Sequence, residues 1–211
     1  MRKLMFITIM CAFIAAPVPA DMVENGSFES GVTIPPGSFL ELNAGDSISI
    51  TDWTVVGSGI RAVDYIGGYW AAPDGTRSLD LNGRPGPGGI EQVISTVPGS
   101  TYRVEFFMAG NPDGGPTIKT MDVSAIGGTT QTQAFSFDIT GKSRAQMGWT
   151  PHEWTFVADA DLTTLRFMST TIDTPGWGPA LDMVSVVPVP AAVLLGMLGL
   201  GAAGLKLRKL A

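Results

Sequence analysis

The chain has 211 residues, with 13 Lys and Arg, 19 Asp and Glu, one His and one Cys. One histidine excludes a multi-histidine metal centre and argues against a Ser-His-Asp triad, and one cysteine excludes an internal disulfide. All 19 acidic residues but only eight basic ones lie between positions 21 and 187, a net charge of −11 that repels nucleic acid and anionic lipid and suits divalent cations and neutral ligands.

Arg2 and Lys3 precede an apolar run from Leu4 to Ala16, followed by Pro17-Val18-Pro19-Ala20. This pattern predicts a signal helix over residues 1–20, export, and a cut by signal peptidase after Ala20. The run is short for the alternative, a retained anchor. Cys11 then leaves with the signal, and Asp21 becomes the mature N-terminus.

Residues 21–187 have almost no helical period. Short alternating or apolar runs are separated by Gly, Pro, Asn and Asp. They predict strands at 46–56, 61–66, 77–82, 89–96, 100–109, 117–126, 131–138, 151–158, 162–170 and 180–187. In the clearest run, Tyr102, Val104, Phe106 and Met108 share one face, and Arg103, Glu105 and Phe107 the other. Phe107 on the second face predicts a strand inside a sheet, partly covered on both sides. Leu165 and Phe167 point inward in the same way, and Arg166 outward. Residues 82–89 and 111–116 are the strongest turn signals. The expectation is one all-β domain over 21–187, a β-sandwich or jelly roll.

The chain closes on Val187-Pro188-Val189-Pro190, an apolar run from Ala191 to Leu205, and the basic cluster Lys206, Arg208, Lys209. The bland reading of residues 188–211 is a C-terminal membrane anchor whose basic end stays cytoplasmic. The motif, the Gly-rich apolar segment and the basic cluster together resemble the PEP-CTERM sorting tail in its VPxP-type variant. Val189 replaces the central acidic residue of the commonest motif. The resemblance implies a transmembrane sorting helix and an exosortase-type enzyme of Gram-negative bacteria as partner. It further implies transient anchoring in the inner membrane, and delivery to the cell surface or an extracellular biofilm matrix.

Several phrases of the middle region also resemble a known exported domain. They are Glu24-Asn25-Gly26-Ser27-Phe28-Glu29, Ile50-Thr51-Asp52-Trp53, Val63-Asp64-Tyr65-Ile66, Ser78-Leu79-Asp80-Leu81-Asn82-Gly83, Met147-Gly148-Trp149 and Leu181-Asp182-Met183-Val184-Ser185-Val186. Their order is similar to the bacterial choice-of-anchor C domain, itself similar to a plant cell-wall domain of unknown function with a galactose-binding-like jelly roll. The family usually has Asn where this chain has Met183. The opening and closing phrases are also shared by many calcium-containing carbohydrate-binding modules.

Calcium takes six to eight oxygens from carboxylates and carbonyls. Glu29, just after an expected first strand, and Asp182, in the last, are the expected calcium ligands, with carbonyls of residues 25–27 and Asp80 as further candidates. The alternative is that these carboxylates only accept backbone N–H bonds. Sugar rings pack their C–H faces on aromatic side chains while polar groups bond the hydroxyls. Tyr69, Trp70, Trp177 and Trp149 sit beside glycines in expected loops and are the candidate sugar platforms, with end-plugging as the alternative. Trp53 and Trp154 read as core. Asp113, in a rigid double turn, reads as a ligand contact or an Asx-turn acceptor. Lys119 reads as a solvated strand residue, and His152 as packing. No P-loop, G-x-G-x-x-G, zinc spacing or G-x-S-x-G is present. The sequence therefore points to a non-enzymatic exported module that binds extracellular polysaccharide. A structural matrix protein is the main alternative, and a hydrolase a more distant one.

Overall fold

A computed structural model describes residues 20–58, 60–172 and 176–190. The expected signal segment with Cys11, and the expected sorting helix with Lys206, Arg208 and Lys209, lie outside the described residues. Among those residues there is no α-helix, and no helix is long and apolar enough to cross a membrane.

Eleven strands form among the described residues: β1 (Ser38–Leu42), β2 (Thr54–Gly57), β3 (Val63–Gly67), β4 (Arg77–Asp80), β5 (Gly88–Ser95), β6 (Thr101–Gly110), β7 (Ile118–Ile126), β8 (Thr130–Asp138), β9 (Thr150–Val157), β10 (Leu162–Ser169) and β11 (Pro179–Pro188). They build two antiparallel sheets, ordered β1-β3-β4-β11-β6-β9 and β2-β5-β10-β7-β8. Period-2 alternation sets the faces: Tyr102, Val104, Phe106 and Met108 are buried, and Arg103, Glu105 and Phe107 half-buried. β6 lies between β11 and β9, as the apolar second face of the strand requires. Leu165 and Phe167 meet the core from the other sheet. Between the sheets Trp53 packs against Phe28 and Phe167, with ring centroids 5.6 and 6.4 Å away. Each such burial contributes roughly 1.5–3 kcal/mol.

Three segments depart from the sequence reading. The expected strand over 46–56 is reduced to β2, because Asp46 folds the chain into a turn and accepts the N–H groups of Ile48 and Ser49 at 2.9 Å. β1 was not expected; SFLEL shows no clean alternation, and its half-buried residues pair along β3 at the sheet edge. Among the described residues no strand precedes Glu29 either. The irregular stretch before it is nevertheless tied to β11, Met22 N–H donating to Val186 O and Val184 N–H to Gly26 O, both at 2.8 Å.

Candidate functional site

Cross-strand registry puts Tyr65, Leu79, Leu181 and Met108 on the inner face of the six-stranded sheet. Asp64, Asp80 and Ala180 therefore face outward in a row. Yet every residue of β3 is buried, because the outer face there is roofed by loops carrying Tyr69, Trp70, Asp113 and Trp177. Under that roof lies a cleft of about 80 Å³, lined by Glu41, Asp64, Tyr69, Arg84, Asp113 and Trp177 among others.

At its floor Asp64 is 7% exposed, and its Oδ1 has no hydrogen-bond partner. Burial pushes its carboxyl up to about 8, the negative charges of Asp80 and Glu41 add to the rise, and Arg84 opposes it. Asp64 is therefore largely protonated at neutral pH, a buried hydroxyl donor and carbonyl acceptor with an open valence. Sequence reasoning missed it. Its signal was a single carboxylate within an otherwise apolar strand.

Four of the residues expected to contact a ligand, Tyr69, Trp70, Trp177 and Asp113, meet at this cleft. Their roles differ. Tyr69 is half-buried; its hydroxyl donates to Asp113 Oδ2 at 3.0 Å, and the Arg144 guanidinium lies 4.0 Å from its ring centroid. Arg144 also bonds both carboxylate oxygens of Asp113, through Nε at 2.9 and 3.0 Å. Trp177 is half-buried and lies flat against Gly114, where a Cβ would come within 2.3 Å of the indole. Trp70 is 3% exposed, and its indole N–H donates to Ser78 Oγ at 2.8 Å. It forms a wall rather than a free platform. Trp149 stands beside the cleft, half-buried, its N–H held by Ala71 O at 2.8 Å. Trp53 is core, and Trp154 is partly buried against it.

The loop over the cleft is anchored from below. Asp80 is wholly buried and accepts the N–H groups of Asn82 and Gly178 at 2.9 Å and the Asn111 amide at 2.8 Å. Asn111 in turn accepts Asp113 N–H at 2.9 Å, so residue 113 sits in an Asx turn whose side chain is free to meet Tyr69 and Arg144. Lys119, expected on a solvated face, is fully buried; its ammonium donates to Gly114 O and Trp177 O, both at 2.7 Å. It shares inward parity with Met121, Val123 and Ala125, which was the missed signal. Burial lowers its pKa to about 8, and Asp80 opposes the shift.

The expected calcium ligands lie elsewhere on the sheet. Glu29 Oε1 accepts Thr76 N–H at 2.8 Å and Arg77 N–H at 2.6 Å. The turn of residues 74–76 can close over it because Gly75, at φ +53°, has no Cβ; one would lie 2.3 Å from Oε1. Asp182 is wholly buried, its Oδ1 taking its own Met183 N–H at 2.7 Å, and its Oδ2 has no partner. Burial raises its carboxyl to about 8. The Met183 and Asp74 N–H groups oppose that, and the charges of Asp74 and Glu29 add to it. The orphaned buried oxygen and the negative charges of Asp74 and Glu29 acting on it are what a cation would neutralise. Among the described residues no group of three or more His, Cys, Asp or Glu could hold a metal ion, so a cation here would need backbone carbonyls as well. Those of Asn25 and Gly26 each already accept hydrogen bonds. Asp80, in its closed network, does not join Glu29 and Asp182.

An open groove of about 530 Å³ also crosses the outer face of β11, β6 and β9, lined by Phe107, Pro151, Glu153, Met183 and Ser185 among others. His152 stacks on Phe106 at 5.5 Å beside it, and burial lowers its pKa.

Residues 21–187 match the model of a family described as protein of unknown function (DUF642). The chain belongs to that family. It is 31% identical over 169 residues to halomucin of Haloquadratum walsbyi (strain DSM 16790 / HBSQ001), a match covering 79% of this chain. The chain spans about 2% of the length of that curated relative. Among solved structures it is similar to TmCBM61 in complex with β-1,4-galactotriose, with TM-score 0.53, 14% identity, and coverage of 81% of this chain and 99% of that one. It is also similar to an arabinose-bound MgGH51 α-L-arabinofuranosidase, with TM-score 0.52, 13% identity, and coverage of 80% and 26%. At these identities the likeness shows the fold, an all-β sandwich resembling carbohydrate-binding jelly rolls.

Proposed function

We propose that this DUF642 domain is a non-enzymatic, carbohydrate-binding-like module. In this reading it is exported, and sorted to the cell surface or extracellular matrix through its tail by an exosortase-type system, as a choice-of-anchor C protein. The observation that carries the binding reading is the orphaned Asp64 carboxyl under the half-exposed rings of Tyr69 and Trp177. Pockets that enclose a small ligand run about 300–1,000 Å³, and this cleft holds about 80 Å³. It is sized for one polar substituent of a sugar whose ring rests outside on Tyr69 and Trp177. That size also argues against hydrolysis, which needs both sugars flanking the bond inside the site. The match to a small part of a much longer protein supports a modular role. Calcium beside Asp182 and Glu29 is proposed as a structural ion that holds the turn of residues 74–76 against β11.

The test is binding of the secreted protein to a polysaccharide panel, with calcium and with chelator. Trp177→Ala and Asp64→Asn are expected to weaken retention at least tenfold while the melting transition persists. Retention unchanged in both variants sinks the cleft assignment. A second reading, a structural matrix module, draws on the burial of Trp70 and the tethered indole of Trp149. It predicts no retention on any polysaccharide and self-association on sedimentation.

A further inference from the structure

We propose that the cleft over Asp64 receives the ammonium group of an amino sugar, so that the ligand is a polysaccharide carrying free amines. The proposal rests on the carbohydrate-binding reading of the same cleft and names its ligand class. Glu41 of β1 lies directly opposite Asp64 of β3, and Asp64 directly opposite Asp80 of β4. Three carboxylates thus stand in one row across three neighbouring strands, with the Cβ atoms of neighbours about 4.5–5.5 Å apart. Like charges so placed destabilise a sheet unless each is compensated. The outer two are compensated. Glu41 meets Arg61 Nε at 3.4 Å. Asp80 holds two backbone N–H groups and the Asn111 amide, and feels the Lys119 charge. The middle one is not. Asp64 is 7% exposed, its Oδ1 has no hydrogen-bond partner, and among the described residues no Lys or Arg forms an ion pair with it. The row lacks one positive charge at its centre, and Asp64 is the member that lines the cleft from its floor.

Charge and size select the occupant. A metal ion finds too few ligands, since among the described residues no group of three or more His, Cys, Asp or Glu could hold one. A sugar carboxylate would gain Arg84, which also lines the cleft. Yet Asp80 and Glu41 each act on Asp64 more strongly than Arg84 does, so the floor repels an anion. The same field attracts an ammonium, whose N–H groups suit the unpartnered oxygen. A group of that size fits: a water molecule occupies about 30 Å³ of liquid, and the cleft holds about 80 Å³. As the ammonium enters, the carboxyl gives its proton to solvent and becomes a charge-assisted acceptor. An N-acetyl group would remove the charge and set a methyl against the carboxyl. Tyr69 and Trp177, half-buried at the rim, keep the sugar ring outside.

The test titrates the full chain, in a neutral detergent at about pH 6, below the usual range of an amine. The probes are three tetraoses of one β-1,4-glucan backbone, bearing at C2 an amine, an acetamide or a hydroxyl. The amine tetraose is expected to bind at least tenfold more tightly than the other two. Equal affinities overturn the proposal and leave the carbohydrate-binding reading standing. Binding of none overturns it as well, and if the polysaccharide panel also retains nothing, the binding reading falls with it. Asp64→Asn has the shape of the protonated acid, so its melt is expected to persist while the tenfold preference is lost. Asp122→Asn, on β7 in the other sheet, removes one charge away from the cleft and is expected to keep the preference. A preference that survives in Asp64→Asn, or falls equally in Asp122→Asn, is the attraction of an acidic domain for any amine and overturns the proposal. Nα-acetyl-lysine amide is expected to displace the amine tetraose at least tenfold less well than glucosamine does. If the two displace it equally, the site takes a protein lysine as readily, and the amino-sugar assignment falls.

Discussion

Asp80 and the pair Asp64 and Asp182 all lie buried on the outer side of one sheet, yet their surroundings are opposite. Asp80 has two backbone N–H groups and the Asn111 amide closed around it. Asp64 and Asp182 each keep an oxygen without a partner. A satisfied buried carboxylate builds structure, whereas an unsatisfied one costs stability until something meets it. The first kind here holds a loop, and the other two mark where a ligand and an ion are proposed. Breaking the Asp80 network is expected to have the largest effect. Asp80→Ala leaves the Asn111 amide, the Gly178 N–H and the neighbouring Lys119 charge uncompensated. The expected cost is about 3–5 kcal/mol, read as a lower urea midpoint. A loss under about 1 kcal/mol would show that the knot is not what holds residues 111–116.

The unsatisfied pair should reveal itself through pH. Asp64 and Asp182 titrate near 8 in the folded chain, against 3.8 for the free side chain. Between those values the folded state keeps protons that the unfolded state has released. The stability these two groups contribute is thus present below about pH 4 and lost as pH rises toward 8. Asp80, which burial raises to about 6, acts in the same direction up to that pH. His152, which burial lowers, acts in the opposite direction below its free value of 6.5, and Asp46, Asp138 and Asp159, whose pKa values are lowered, do so only as pH falls below 3.8. In chelator, urea midpoints are expected to fall from pH 5 to pH 8. A midpoint that rises across that window would mean both carboxylates have partners in solution.

The proposed calcium would separate Asp182 from Asp64. An ion that binds only the folded state at a concentration 100 times its Kd adds about 2.7 kcal/mol. Calcium is expected to raise the melting temperature at pH 7.5 and to flatten the pH dependence in part. Asp182→Asn keeps the acceptor for Met183 N–H and turns an amide toward Asp74 and Glu29. It should leave the metal-free protein as stable as before, or more so, and remove the calcium response. A melt indifferent to both calcium and chelator would reduce Glu29 and Asp182 to acceptors of backbone N–H bonds.

The sandwich was legible because alternation alone assigns faces, as in β6 and β10, where Phe106 and Phe167 meet across the core at 5.4 Å. The loop aromatics were legible as a set, since the glycines before Tyr69-Trp70 and on either side of Trp177 announce loops. That they meet at one cleft was not, because it depends on β3, β4 and β11 being neighbours. Trp70 shows the limit of the signal, for a loop ring close to glycines can still be folded inward when Ser78 offers its hydroxyl. Asp64 and Lys119 were hidden for a related reason. A charged residue in a strand reads as solvated unless the roof above it is known, and that roof comes from segments distant in sequence.

The smallest effect belongs to the rim of the cleft, and it sharpens the contrast with the buried carboxylates. Tyr69→Phe removes only the hydroxyl bond to Asp113, while Arg144 keeps both of its bonds to that carboxylate. At this half-buried rim position the expected stability change is about 0.5–1 kcal/mol or less. The ring, its edge contact with Trp70 at 5.8 Å and the overlying guanidinium all remain. Sugar retention should therefore persist in Tyr69→Phe and fall in Tyr69→Ala, measured side by side on the same polysaccharide. If the two variants lose retention equally, the hydroxyl and Asp113 make the contact and the ring is not the platform. If neither loses any, Tyr69 belongs with Trp70 as a wall, and the ligand face narrows to Trp177 above Asp64.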